Sequence, residues 1–307
     1  MPVTDAELRA ALEQALGGPL LRVGRRPHPY HSTHPVEDLA VLPAAGVGRR
    51  LLLKDLGATC CGDLGDRARL LDARREIEAY RVLASRGVSA PACVAAAPAP
   101  RRDRGWLVLE AVDAAPLWQH EGLGAWLAAA RWLAALHGGG PPRDARHLLV
   151  HDRAHARQWL RRAVATTPPG ALAAVAVVWE TALARLAAWP ATFLHGEFYA
   201  SNVLVDAAGT VRPVDWEMAG VGPGVLDLAA LVAGWPGAER RRLVAAYHAA
   251  LPAGRRPPAD ELDVALTCAR LQIAVQWLGW SPGWKPTAAH ARDWLGEARA
   301  LAGELAA

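Results

Sequence analysis

The chain has 307 residues, 52% hydrophobic and 21% charged, enough for a large core or two packed lobes at a polarity ordinary for a globular protein. A formal net charge of +4 and a pI near 9.1 raise nucleic acid as a partner, but the arginines are scattered along helical segments without a basic run or arm. Solvated helix faces account for them, and no nucleic-acid partner is expected. Apolar stretches such as ALAAVAVVW (171–179) are too short or too close to charges to span a bilayer, which takes about 20 apolar residues, so a soluble cytoplasmic chain is expected.

The opening residues MPVTDAELRAALEQAL carry Asp5, Glu7, Arg9 and Glu13 among apolar positions, which interrupts the apolar core a secretory signal needs and predicts an amphipathic helix. From Leu20 to Val112 the pattern is mostly strand: LRV (21–23), VEDLAVL (36–42), RLLLKDL (50–56) and RGWLVLEAV (104–112) are short and rich in Val and Leu. Between them, Leu71 to Arg86 sets Leu71, Ile77, Tyr80 and Leu83 near one face at helical spacing, and Gly87 stops the helix. A five-stranded antiparallel sheet with one helix is the simplest assembly of the first 110 residues.

After Val112 the pattern turns helical, with Ala/Leu/Trp segments at 122–137, 154–166, 170–188, 239–250, 261–280 and 287–305. One strand pair interrupts them: VLV (203–205), a turn at AAGT (207–210) and VRPVDW (211–216) read as a hairpin. Residues 97–104 and 252–258 read as exposed loops. The change of pattern predicts a β-rich unit over 1–112 and an α-rich unit over 113–307. Cys60, Cys61, Cys93 and Cys268 form neither a CxxC pair nor a zinc-finger spacing and are expected as reduced, structural thiols.

The segment LHGEFYASNVLVDAAGTVRPVDWEMAGVGPGVLDLA (194–229) carries the chemistry. It sets a carboxylate (Glu197), an amide (Asn202) and a second carboxylate (Asp215) around the predicted hairpin. Phosphoryl transfer uses these types: a carboxylate to orient and deprotonate an attacking hydroxyl, and hard oxygen ligands to hold Mg²⁺ against phosphates. Of 34 basic side chains only Lys54 and Lys285 are lysines, so a lysine retained within LLLKDL marks a place where arginine does not serve. In an apolar strand its ammonium needs an anionic partner. Glu76 and Glu78 compete for that part from about 200° apart on the helix, and the spacing of Glu76 to Leu83 favours Glu76.

These residues resemble the aminoglycoside phosphotransferase and choline kinase-like family of small-molecule kinases, whose pattern reads His-Gly-Asp, four residues, Asn, a short hairpin and Ile/Val-Asp-Trp/Phe. Here the matching residues are His195, Gly196, Glu197, Asn202 and Val214-Asp215-Trp216. The resemblance covers about residues 55–230. It implies a two-lobed protein-kinase-like α+β fold with an N-terminal antiparallel sheet lobe and a larger helical C-terminal lobe, using ATP or GTP with Mg²⁺ and a hydroxylated small-molecule acceptor. It further implies Asn202 and Asp215 as magnesium ligands, Glu197 in the place of the catalytic aspartate, and Lys54 on the nucleotide phosphates with Glu76 as its ion-pair partner. His195 would support the catalytic loop and Asp227 would brace it. LVLEAV (107–112) resembles the hinge, with backbone groups of Glu110 and Val112 toward adenine. There is no G-x-G-x-x-G loop or Walker A motif. In the segment between the first two strands, Ser32 and Thr33 could donate to phosphate oxygens, or the segment is a plain turn.

Glutamate at 197 departs from the family's aspartate and moves the carboxylate by about 1.5 Å on a fixed backbone. Three readings stay open: the loop adjusts so that Glu197 acts as base, the acceptor sits farther away, or the protein binds nucleotide without efficient transfer. His137, ending ARWLAALH, is expected to interact with the C-terminus of its helix. QWLGWSPGWKP (276–286) brings Trp277, Trp280 and Trp284 together, either as an acceptor surface or as core. Few acidic residues near the C-terminus argue against a polycationic aminoglycoside. EMAGVGPGVL, between the metal motif and Asp227, is too short for a peptide-docking activation segment, which favours small acceptors.

Overall fold

The computed structural model describes residues 3–29, 33–58, 70–97, 105–280 and 292–307. In chain order the first elements are α1 (Asp5–Leu16), β1 (Leu20–Pro27), β2 (Val36–Pro43), β3 (Arg49–Asp55), α2 (Ala73–Arg86), β4 (Cys93–Ala97), β5 (Trp106–Glu110) and β6 (Ala114–Pro116). There follow α3 (Gly124–Gly138), β7 (Leu149–Val150), α4 (Arg153–Thr166), α5 (Ala173–Ala188), β8 (Ala191–Leu194), β9 (Val203–Asp206), β10 (Val211–Pro213) and β11 (Gly220–Pro223). Then come α6 (Val225–Leu231), α7 (Gly237–Ala250), α8 (Ala259–Trp280) and α9 (Trp294–Ala306). Two compact units form: one from residues up to His120 with Asp144–Leu148 and Ser201–Ala219, the other from Glu121–Arg143, Leu149–Ala200 and Gly220–Ala307.

In the first unit a five-stranded sheet of order β1-β2-β3-β5-β4 is antiparallel throughout. Side-chain alternation along β3 sends Leu51 and Leu53 to a core with Leu8 and Leu12 of α1, Leu39, Val41 and Val108, leaving Lys54 on the opposite face. Helix α1 starts on a capping box, in which the Thr4 hydroxyl accepts from the Glu7 N–H while the Glu7 carboxylate accepts from Thr4. The fifth strand, β4, carries a weak signal because CVAAA is mostly alanine, a poor strand former. It pairs beside β5 at the sheet edge. Helix α2 begins two residues later than the predicted Leu71, because the Asp72 carboxylate accepts from the Arg74 N–H as N-cap, and it ends at Gly87 with φ +64°. The predicted hairpin forms from β9 and β10, and β6 adds on the other side of β9. Asp206 closes its turn by accepting from the N–H groups of Ala208 and Thr210.

In the second unit α8 packs against α4, α6 and α9, and α3 against α7. Strands β7, β11 and β8 form a small mixed sheet that the sequence pattern does not reveal, since Gly220-Val-Gly-Pro223 lacks any strand-like run. The predicted helices appear with ends shifted by a few residues. For the last, residues 287–291 lie outside the described residues, and α9 starts where the Asp293 carboxylate accepts from the Gly296 N–H. Among the described residues no helix is long and apolar enough to cross a membrane.

Candidate active site

In the first unit Lys54 stands at the centre of a buried charge cluster. Its ammonium lies 2.8 Å from Glu76 Oε2, 3.1 Å from Glu76 Oε1 and 2.5 Å from Asp215 Oδ1. Burial opposes its charge, but Asp215 and Glu76 outweigh that and hold its pKa well above the ordinary lysine value. Glu78, on another face of α2, accepts instead from the backbone N–H groups of Arg146 and His147. Helix α2 is anchored from the same side by buried Arg75, which donates to the carbonyls of Leu70, His147 and Glu217.

Asp215 has φ +66°, the left-handed region that aspartate tolerates better than most residues at about 1 kcal/mol or more. Its neighbour Trp216 is fully buried and donates its backbone N–H to Glu76 Oε1, 3.3 Å, and its indole N–H to the Pro213 carbonyl. Glu76 thereby joins both the ammonium and the strained segment. Asn202 accepts at its backbone carbonyl from the Val214 N–H, 2.9 Å, so the hairpin holds Asn202 beside the residue preceding Asp215. Carboxylate and amide oxygens at 215 and 202 are hard donors that fit Mg²⁺, which needs only one or two protein ligands alongside phosphates and water. Among the described residues no three His, Cys, Asp or Glu converge into a larger metal cluster.

Sequence reasoning missed Glu217. It is buried, with Oε1 accepting from the Thr33 hydroxyl at 2.9 Å and Oε2 lying 3.7 Å from His34 Nε2 without a hydrogen bond. Burial and the Asp215 charge push its carboxyl up to about 8. One lysine cannot neutralise Glu76, Asp215 and Glu217 together, so one of the three keeps its proton near neutrality. His34 is driven toward the neutral form by burial and by Lys54. The signal was present as an acidic residue two positions past Asp215, but only the fold brings Thr33 and His34 to it.

Of the other nucleotide-site candidates, Ser32 lies outside the described residues. The Glu110 N–H donates to the Ala92 carbonyl at 2.9 Å and so is not available to a purine, while the Glu110 side chain accepts from the Ala92 N–H and from Arg212. Val112 sits between β5 and β6.

In the second unit the loop after β8 is held by Asp227 of α6. Its carboxylate accepts from the His195 N–H at 2.7 Å and the Gly196 N–H at 2.9 Å, with Gly196 at φ +85°. Burial opposes the charge of Asp227, yet His137 and these amides keep its carboxyl below the usual range. His195 is fully buried and its Nδ1 accepts from the Glu197 N–H at 3.3 Å, an arrangement that orients the loop. Glu197 is half-buried; burial and the Glu197 charge raise the phenol of Tyr199. His137 does more than meet the end of its own helix: its ring bridges Asp227 and Tyr247. Trp277 packs between Tyr199, 5.2 Å, and Trp294, stacked at 5.5 Å, whereas Trp280 packs on buried Trp159 and Trp284 lies outside the described residues.

A sheet bearing a buried lysine paired to a helix glutamate, with helices carrying the loop and its bracing aspartate, defines the protein-kinase-like α+β class. Solved structures with this fold include choline kinase LicA from Streptococcus pneumoniae (TM-score 0.61, 14% identity, 98% of each chain covered). Macrolide 2'-phosphotransferase MphH from Brachybacterium faecium gives a TM-score of 0.59 at 20% identity over 97% of this chain and 98% of that one. An aminoglycoside phosphotransferase from Streptomyces rimosus, solved with ADP and streptomycin, gives 0.53 at 20% identity over 90% of this chain and 100% of that one. No curated relative matches the sequence. The profile of the phosphotransferase enzyme family matches residues 34–262, and the chain belongs to that family. It is a phosphotransferase with an alcohol group as acceptor, a kinase acting on small molecules.

Proposed function

We propose that this enzyme transfers the γ-phosphoryl group of ATP or GTP, with Mg²⁺, onto a hydroxyl of a small metabolite, sugar or antibiotic-like acceptor. The observation that carries the reading is the buried ammonium of Lys54 gripped by Glu76 and Asp215, a point charge held where phosphate oxygens can share it. Residues 1–112 serve the nucleotide, and 113–307 supply the catalytic loop, metal ligands and acceptor-binding helices. The ADP bound by the Streptomyces rimosus relative supports a nucleotide as donor. Magnesium held by Asn202 and Asp215 would neutralise charge on the phosphates. Glu197 accepts the proton of the acceptor hydroxyl as the new O–P bond forms and the bond from the γ-phosphorus to the departing nucleoside diphosphate breaks, while Asp227 and His195 keep its backbone in place. Tyr199, two residues after Glu197, and Trp277, whose ring lies 5.2 Å from it, are candidates for contact with the acceptor. A cytoplasmic setting, rich in nucleoside triphosphates, suits the free thiols of Cys93 and Cys268.

A second reading rests on Glu197 itself: with its carboxylate one methylene beyond the family's aspartate, the protein would bind nucleotide and regulate without turnover. Calorimetry with ATP and GTP, with and without Mg²⁺, followed by product detection across amino alcohols, sugars, aminoglycosides and macrolides, separates the two. Transfer to one acceptor, abolished by Asp215→Ala, is the expected result. Binding without transfer to any acceptor favours the second reading, and absence of binding overturns both.

A further inference from the structure

Three helices of the second unit converge behind the loop that carries Glu197. His137 ends α3, Asp227 sits in the first turn of α6 and Tyr247 lies in the last turn of α7, all of them buried. His137 Nε2 is 3.3 Å from Asp227 Oδ2 and Nδ1 is 2.9 Å from the Tyr247 hydroxyl. The His137 carbonyl accepts from the Thr192 hydroxyl on β8, 2.8 Å, which ties the helix end to the strand leading into the loop. Gly224 lets the ring in, since a Cβ there would come within 2.7 Å of His137 Nδ1.

Proton bookkeeping gives this chain a direction. Asp227 is an acceptor only, and it already takes the His195 and Gly196 N–H groups, so the ring nitrogen facing it must carry a proton. A neutral imidazole protonated at Nε2 presents a bare Nδ1, which Tyr247 is positioned to satisfy by donating its hydroxyl proton. Among the described residues the titratable and charged groups facing the ring are Asp227 from α6, Tyr247 from α7 and, across Asp227, His195 from the loop. Burial and Asp227 both raise the Tyr247 phenol, so it stays a donor.

We propose that Tyr247 is a positioning residue that fixes the Nε2–H tautomer of His137, and that this tautomer lets Asp227 hold the backbone of the loop bearing Glu197. Its catalytic consequence rests on the function proposed above; its structural consequence does not. Without the Tyr247 hydroxyl, His137 can move its proton to Nδ1, turning Nε2 into a second acceptor against Asp227. The carboxylate then loses a partner and the loop amides loosen.

The test is amide exchange and ring ¹⁵N shifts in the full chain, with ATP hydrolysis by water as an acceptor-free activity. In Tyr247→Phe the His195 and Gly196 amides should exchange about tenfold faster, the size of one lost buried hydrogen bond, while Leu271 and Val275 of α8 are unchanged. The wild-type ring should show Nε2 protonated and Nδ1 bare, and the variant should show proton density at Nδ1. Hydrolysis should fall about tenfold in kcat with the KM for ATP unchanged. His137→Gln keeps an N–H donor toward Asp227 without needing Tyr247, so adding Tyr247→Phe to it should change exchange by less than about twofold. Unchanged exchange at His195 and Gly196 in Tyr247→Phe, or a wild-type ring protonated at Nδ1, overturns the proposal. Absent hydrolysis in the wild type counts against the proposed function alone, because exchange and ring shifts still decide this one.

Discussion

Replacing Glu217 by glutamine should make the enzyme more stable at high pH and leave it unchanged at low pH. The carboxyl has a reference value of 4.5 and is held at about 8 by burial and by Asp215, so between those two values the folded chain keeps a proton that the unfolded chain has released. Unfolding in that window expels a proton, and stability therefore falls as pH rises from about 4.5 to about 8. At 1.36 kcal/mol for each tenfold change in proton affinity, the full loss above pH 8 is on the order of 5 kcal/mol. Glutamine keeps the shape and the acceptor for the Thr33 hydroxyl but carries no proton to lose. Urea unfolding of the metal-free chain at pH 6 and pH 9 measures both. The wild type should lose about 3 kcal/mol between the two, while Glu217→Gln stays nearly level, above the wild type at pH 6 and further above it at pH 9. Parallel pH profiles for the two chains would refute the reasoning, because they would mean that Glu217 titrates alike in the folded and unfolded states.

Other outcomes follow from the same geometry. Lys54→Met leaves the buried carboxylate of Glu76 and the half-buried one of Asp215 without their shared cation and should destabilise the chain by about 3–5 kcal/mol at pH 8, read by urea unfolding, and abolish nucleotide binding in calorimetry. Leu12→Ala empties a fully buried site between α1 and the sheet and should cost about 2–5 kcal/mol in the same assay, with the Kd for ATP unchanged once the protein is folded. Glu197→Gln should lower kcat on the identified acceptor by about a hundredfold or more, with nucleotide affinity intact; an unaltered kcat would show that the carboxylate is not the base.

The chain order of most strands and helices was legible because short Val- and Leu-rich runs in β2, β3 and β5 and helical spacing in α2 are strong local signals. Strand β4 was named by no segment, since alanine declares no preference for a pleated edge, and β7, β8 and β11 owe their pairing to neighbours remote in sequence. Within the candidate site, Lys54, Glu76 and Asp215 carry sequence marks of their own: a rare lysine in an apolar strand, a glutamate on the buried face of its helix, and a motif after a hairpin. Glu217 and Tyr247 carry none. What makes Glu217 unusual is Thr33, 184 residues away, together with the count of carboxylates around a single lysine. Tyr247 gains its partner only because α3 and α7 pack together, bringing it to a histidine 110 residues earlier.

The geometry around Lys54 also explains why an arginine-rich chain keeps a lysine there. The ammonium is compact and its three donors can be divided between Glu76 and Asp215, which approach it from a helix and from a strained turn rather than from one plane. A guanidinium would need a planar fork of acceptors and more room than a residue 8% exposed has, and its charge would be spread where a point charge is needed. The surplus of negative charge left around Lys54 repels a further anion unless a proton or a cation accompanies it. A triphosphate arriving with Mg²⁺ meets that condition, and the elevated carboxyl of Glu217 is the form the same surplus takes when only protons are at hand.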